Sequence, residues 1–215
     1  DMFTMVGDLA QGIHSYRSLT EWDSVLKLFP RATYATLQKS YRTTIEIMEV
    51  ANKILSKMDE DLPLVEPVVR HGKDPTFIRC EAFNADTILK TYNAIKSNGH
   101  RSIALIAKTT AEAKTIVSRL VEARMPVSLL DESATLDQSK LLVVPSHLAK
   151  GLEFDAVIIA AFDTPFYDHP IDRKLLYVAL TRAKNQLYLV GTTKKLSFEK
   201  IEDDYDVLSR GDYLS

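Results

Sequence analysis

Three stretches of this sequence gather side chains that handle phosphate or nucleobases. The first is Val6-Gly7-Asp8-Leu9-Ala10-Gln11-Gly12-Ile13-His14-Ser15-Tyr16-Arg17. His14, Tyr16 and Arg17 mix flat rings with a cation, which suits stacking on single-stranded bases and holding their phosphates. The competing reading is a surface loop whose aromatics cover a helix at Trp22. Gly7 and Gly12 have the spacing of a phosphate-binding loop, but Ile13-His14 stand where Lys and Ser or Thr are required. No other pair of the seven glycines makes such a loop, and no strand ends in the Asp-Glu pair that holds Mg²⁺.

The second stretch is Leu37-Gln38-Lys39-Ser40-Tyr41-Arg42-Thr43-Thr44. Arg42 stands at a strand-to-helix turn, where a guanidinium can reach an anion at a sheet edge. It could equally pair with a local carboxylate. The third runs from Ser146-His147-Leu148-Ala149-Lys150-Gly151-Leu152-Glu153-Phe154-Asp155 to Tyr177-Val178-Ala179-Leu180-Thr181-Arg182-Ala183-Lys184. Arg182 is expected on an apolar, Ala-rich helix buried against a sheet, and a charge there needs a partner or a ligand. Lys150 reads either as a phosphate contact or as a turn residue beside Gly151. Asp155 is expected to fix its loop, and Lys184 to be a cation at a helix C-terminus.

Short apolar segments alternate with helical ones throughout, the pattern of a mostly parallel α/β sheet with helices on both faces. Strands are expected at 3–6, 33–38, 76–82, 102–107, 126–130, 140–145, 154–161 and 186–191. Capping signals stand at Thr20 with Asp23, Thr43 with Glu46, and Thr109 with Glu112. Asn84 is a further cap, for a helix that ends before Gly99. Residues 59–75, with Pro63, Pro67 and Pro75, read as an extended connector, and 131–138 as a polar loop. In open sheets of this kind ligands sit at the carboxyl ends of strands, so the polar clusters are expected there.

Composition sets outer bounds. The chain has 215 residues, 46% of them hydrophobic and 26% charged, which are ordinary globular proportions. A net charge of −2 lacks the electrostatic footprint of a dedicated duplex-DNA binder. Five histidines without paired ligand spacing argue against a zinc site, and no metal site is expected. The single Cys80 cannot form an internal disulfide, and its alternating surroundings read as a buried thiol in a strand. A reducing, cytoplasmic setting is expected. The apolar run 156–162 is too short to span a bilayer. The chain opens as though inside a strand, so a fragment of a longer protein is expected.

The clusters resemble the later motifs of superfamily I helicases of the UvrD/Rep type. Residues 6–17 are similar to motif III, Gln38-Lys39-Ser40-Tyr41-Arg42-Thr43 to motif IV, residues 146–155 to motif V, and residues 176–184 to motif VI. The wording of the first motif, with Trp22, resembles HelD-type helicases, some of which are associated with RNA polymerase. The resemblance implies the second RecA-like domain (2A-type) of a two-domain motor over residues 1–193, with an acidic helix or tail at 194–215. The phosphate-binding loop and the Mg²⁺ ligands would then lie on an N-terminal RecA-like domain of the same protein. The large subdomain inserted between motifs IV and V in better-known members would be absent or much reduced.

By the same resemblance ATP, with Mg²⁺, binds between the two domains. Gln11 would sense the γ-phosphate, and Arg42 and Arg182 would reach it as arginine fingers. Tyr41 would pack on adenine, Glu153 would accept from the ribose hydroxyls, and Gly151 would shape the turn beside it. His14, Tyr16, Arg17, Ser146 and His147 would contact single-stranded DNA. His14 and Tyr16 stand where the family pattern usually has Tyr and Trp, so each ring offers a smaller stacking area. Ala10 stands where an Asp is common. The implied function is an ATP-dependent helicase or translocase, inactive as this chain alone. The alternative is a remodelling module that acts on a protein partner such as RNA polymerase, with ATP as the switch. No membrane partner is expected.

Overall fold

The computed structural model describes residues 23–33, 39–40, 42–56, 66–67, 70–131, 140–166, 169–192 and 207–208. In chain order the elements are α1 (Asp23–Leu28), β1 (Lys39–Ser40), α2 (Ile45–Leu55), β2 (Glu66–Pro67) and β3 (Thr76–Arg79). Next come α3 (Ala85–Ser97), β4 (Ile103–Ala107), α4 (Thr110–Glu122), β5 (Val127–Leu129) and β6 (Leu141–Pro145). The last are β7 (Phe154–Ala161), α5 (Pro170–Leu180), β8 (Ala183–Gly191) and β9 (Val207–Leu208). β1 and β2 pair in parallel as a small separate ladder.

The remaining strands make one parallel sheet in the order β5-β6-β4-β7-β8-β3-β9. β4 and β6 are Ile-Ala-Leu-Ile-Ala and Leu-Leu-Val-Val-Pro, buried at every position. That is the composition a strand needs when helices cover both faces. The alternation of strand side chains divides the core in two. Phe77, Ile106, Val144, Val157, Ile159 and Leu189 pack with α2 and α5. Ile78, Leu105, Val143, Ile158 and Val190 pack with α3 and α4. The α/β sheet expected from the sequence is therefore present, with helices on both sides.

Local signals hold at several places and shift at others. Asn84 caps α3, accepting from Asp86 and Thr87 N–H, and Gly99 beyond its end has φ +85°. Thr109 caps α4 through Glu112 N–H. The cap of α2 is Thr44, which accepts from Ile47 N–H, and not Thr43, whose buried hydroxyl has no hydrogen-bond partner. β3 stops at Arg79, so Cys80 lies just past the strand and is only half-buried. β8 starts at Ala183, three residues before its expected position, because Phe154 of β7 already pairs with Ala183. Lys184 is therefore a strand residue and not a helix-terminal cation. Residues 3–6, 34–38 and 132–139 lie outside the described residues, as does most of the acidic segment. Val207–Leu208 pair with β3 at the sheet edge.

One connection positions the functional residues. Residues 146–153 leave the carboxyl end of β6 through a 3-10 turn, Ser146–Leu148, and arrive at the amino end of β7. On the way Leu148, Ala149 and Leu152 pack into the α2–α5 core. This crossover joins the two edges of the sheet without an α-helix.

Candidate functional site

At the amino edge of the sheet, Phe154 N–H donates to Arg182 O at 2.9 Å, which sets residues 151–153 beside residues 181–182. Gly151 makes the turn into β7 with φ +85°, a conformation that costs a side-chain-bearing residue strain. Arg182 lies in the turn after α5 and not on the helix, and is 2% exposed. Its Nε donates to Val178 O at 2.9 Å, Nη1 to Leu152 O at 3.3 Å and Nη2 to Thr181 Oγ1 at 3.2 Å. The Arg182 side chain joins the end of α5 to the crossover, sharing Val178 O with the Thr181 hydroxyl, which donates to it at 3.1 Å. The guanidinium thus rests inside the edge and does not project from it, a departure from a finger extended toward ligand.

Arg42 arrives at the same place from the bend just before α2. Its Nε lies 3.1 Å from Glu153 Oε1, with the two side chains 61% and 39% exposed. Arg42 and Arg182 therefore meet neighbouring residues, Glu153 and Leu152. The carboxylate that Arg42 meets is not the local one weighed from the sequence but Glu153, far away along the chain.

A strap that no local sequence signal announces holds α2 there. Arg70 Nη2 donates to Lys184 O and to Asn185 Oδ1, while Arg70 O accepts from Ile45 N–H at 3.1 Å. Glu46 takes His71 Nδ1 at 2.9 Å and Gly72 N–H at 2.8 Å. A Cβ on Gly72 would meet Thr44 Cγ2 at 2.4 Å, so only glycine fits against this cap. Burial works to raise the Glu46 carboxyl, but hydrogen bonds from its own N–H, His71, Gly72 and Thr44 outweigh it and hold the group below its usual 4.5. The strap joins residues 45–46 to residues 184–185. No sequence pattern marks it, because its partners lie from 25 to 115 positions apart.

Asp155 fixes its surroundings as expected. Its Oδ2 accepts from Arg101 and Ser102 N–H at 3.1 and 3.0 Å, and Lys184 Nζ lies 3.7 Å from Oδ1. Lys150 is exposed in the turn beside Gly151.

The carboxyl edge carries a different set. His147 is exposed there, just past β6. Ser146 is fully buried, and its hydroxyl donates to Lys108 O at 2.6 Å. Direct contact with nucleic acid, expected of Ser146, is therefore corrected to a role inside the turn. Lys108 Nζ lies 2.7 Å from Asp172 Oδ1 and donates to Pro165 O at 2.6 Å. Glu112, 4% exposed, turns its Oε1 toward the N–H groups of Phe162, Asp163 and Thr164 instead of completing a capping box at Thr109. A cation directly after the apolar β4 was the available sequence signal for Lys108. Gly151, Glu153 and Arg182 stand at amino ends of strands, so the carboxyl-end expectation is corrected for them. Gln11, His14, Tyr16, Arg17 and Tyr41 lie outside the described residues. Among the described residues no cluster of His, Cys, Asp and Glu could hold a metal, and no helix is long and apolar enough to cross a membrane.

Residues 140–190 match the UvrD-like helicase C-terminal domain family. The ATP-dependent DNA helicase PcrA of Leuconostoc citreum is 24% identical over 155 residues, 67% of this chain and 20% of that protein. The PcrA of Staphylococcus epidermidis (strain RP62A) is 28% identical over 108 residues, 45% of this chain and 14% of its own length. The chain thus spans a fifth or less of these relatives. A solved structure described as the C-terminal domain of a possible DNA helicase from Lactobacillus plantarum superposes with a TM-score of 0.63 at 28% identity. That superposition covers 78% of this chain and 98% of the other. The matched segment contains the crossover, α5 and the Arg182 turn, so the similarity to UvrD-like helicase C-terminal domains falls on the part of the sheet that carries the Arg182 edge.

Proposed function

We propose that this domain is half of an ATP-driven motor on single-stranded DNA and supplies two arginines to a nucleotide site completed by an N-terminal RecA-like domain. The observation that carries the reading is the convergence of Arg42 and Arg182 on Leu152 and Glu153. An exposed ion pair is worth only about 0–1 kcal/mol, so a nucleotide can replace it at little cost. Arg42 then exchanges the Glu153 carboxylate for phosphate oxygens, and Glu153 becomes free to accept from ribose hydroxyls. Arg182 reaches phosphate by giving up its longest bond, the one to Leu152 O, while Val178 O keeps the group oriented. Two guanidinium groups suit phosphoryl transfer, because its transition state spreads negative charge over equatorial oxygens that they meet bidentately.

Gln11 and Tyr41 complete the nucleotide contacts in this reading, with Gly151 shaping the turn. Mg²⁺ is held by the other domain. His147, with His14, Tyr16 and Arg17, forms the strand-facing surface. The test is steady-state ATP turnover of the protein that joins this chain to a phosphate-binding-loop domain. Arg42→Ala is expected to lower turnover by about 10³-fold or more, the lower range for an arginine finger, while folding is unchanged. Wild-type turnover in that variant overturns the assignment. The remodelling alternative, a HelD-like module on RNA polymerase, shares this ATP chemistry. Turnover stimulated by RNA polymerase and indifferent to single strands would favour it.

A further inference from the structure

Two struts join the edges of this sheet, and each edge clamps both. The struts are the crossover, residues 146–153, and α5. At the amino edge Arg182 holds Leu152 O on the crossover and Val178 O on α5. At the carboxyl edge Lys108 does the same: its carbonyl accepts from Ser146 Oγ on the crossover, and its Nζ meets Asp172 in the first turn of α5. Asp172 Oδ2 also accepts from His169 N–H at 3.2 Å, which ties the pair to the start of the helix. The Lys108 and Asp172 side chains are only 15% and 3% exposed, so water screens their attraction little and neither partner can leave without stranding a buried charge.

We infer that Lys108, acting through Asp172, is a positioning residue that couples the His147 turn to the Arg182 edge. A strand pressing on His147 moves the turn that Ser146 anchors on Lys108. Because Lys108 also grips α5, that displacement is passed along the helix to the turn that carries Arg182. Lys108 itself touches neither proposed ligand. The inference rests on the motor reading above.

The test uses the full-length protein with the double variant Lys108→Met/Asp172→Asn, which removes both charges together, beside Lys108→Arg. Four properties are read: thermal melting, anisotropy of a labelled oligothymidylate, basal ATP turnover, and turnover with the oligothymidylate. The double variant is expected to bind the strand and turn over basally as wild type does. Its stimulation by the strand is expected to fall at least about fivefold, the lower range for coupling between sites, and Lys108→Arg is expected to keep it. If the double variant does not fold, Lys108→Gln/Asp172→Asn, which strands no charge and keeps a polar atom on each side, is read in the same way. Unchanged stimulation overturns the inference. So does a parallel fall in binding, basal and stimulated turnover, which marks a merely structural clamp. A wild-type protein without strand stimulation fails earlier and overturns the motor reading itself.

Discussion

The two edges of the sheet each carry a cation–carboxylate pair at close to the same distance, and the pairs differ in how easily they break. Arg42 and Glu153 lie 3.1 Å apart in solvent, while Lys108 and Asp172 lie 2.7 Å apart under the β7–α5 loop. Solvent makes the first weak, because water screens the attraction and two long side chains lose freedom to form it. Burial makes the second hard to break, because either charge left alone is badly solvated. A weak pair suits the nucleotide site proposed for this edge, since its members can be handed to a ligand. A buried pair suits the coupling role inferred for Lys108.

Substitutions can break this contrast, and the largest effect belongs to the buried pair. Lys108→Ala is expected to destabilise the fold by about 3–5 kcal/mol, the cost of stranding a buried charge. Thermal melting checks it, and an effect as small as that of a surface change would erase the distinction between the edges. Arg182→Ala comes next, at about 1.5–3 kcal/mol, the range for a hydrogen bond made by a charged group. The same measurement on Arg42→Ala should show less than about 1 kcal/mol, even though its effect on turnover is far larger. Equal losses for the two arginines would mean that Arg42 is as much a structural clamp as Arg182.

The smallest effect sharpens the picture at the amino edge. Burial favours the neutral form of Asp155, but Ser102 and Arg101 N–H, with the charges of Lys184 and His100, prevail and hold its carboxyl below the usual 3.8. A depressed folded pKa means that the group adds stability above its unfolded value. That contribution fades as pH falls from about 3.8 through the lower folded value. Urea melts between pH 5 and pH 2 should show this loss in the wild type and not in Asp155→Asn, to within about the screening of a part-exposed group.

Much of the fold was legible because the signals are local. Unbroken apolar runs announced β4, β6 and β7, and Asn84 and Thr109 sit where a side-chain oxygen meets the first free N–H groups of a helix. The cap of α2 was misjudged by one residue because Thr43 and Thr44 carry the same hydroxyl, and only the path of the chain decides which of them faces Ile47 N–H. Ser146 was expected at the nucleic acid because it stands beside His147 in the stretch that resembles motif V. In a tight 3-10 turn, successive side chains point in different directions, and one is buried while the other is not.

The order of residues along this chain determined a parallel α/β architecture, the absence of a phosphate-binding loop, and the clusters at Arg42, Glu153 and Arg182 on which a function could be argued. Tertiary structure alone decided that Arg42 pairs with Glu153, that Arg182 turns inward, and that Arg70 and Lys108 brace the two edges. The physical reason is range. Period, caps and turns are written within a few residues of one another, whereas a salt bridge or a buried hydrogen bond joins groups tens to more than a hundred positions apart once the sheet has assembled.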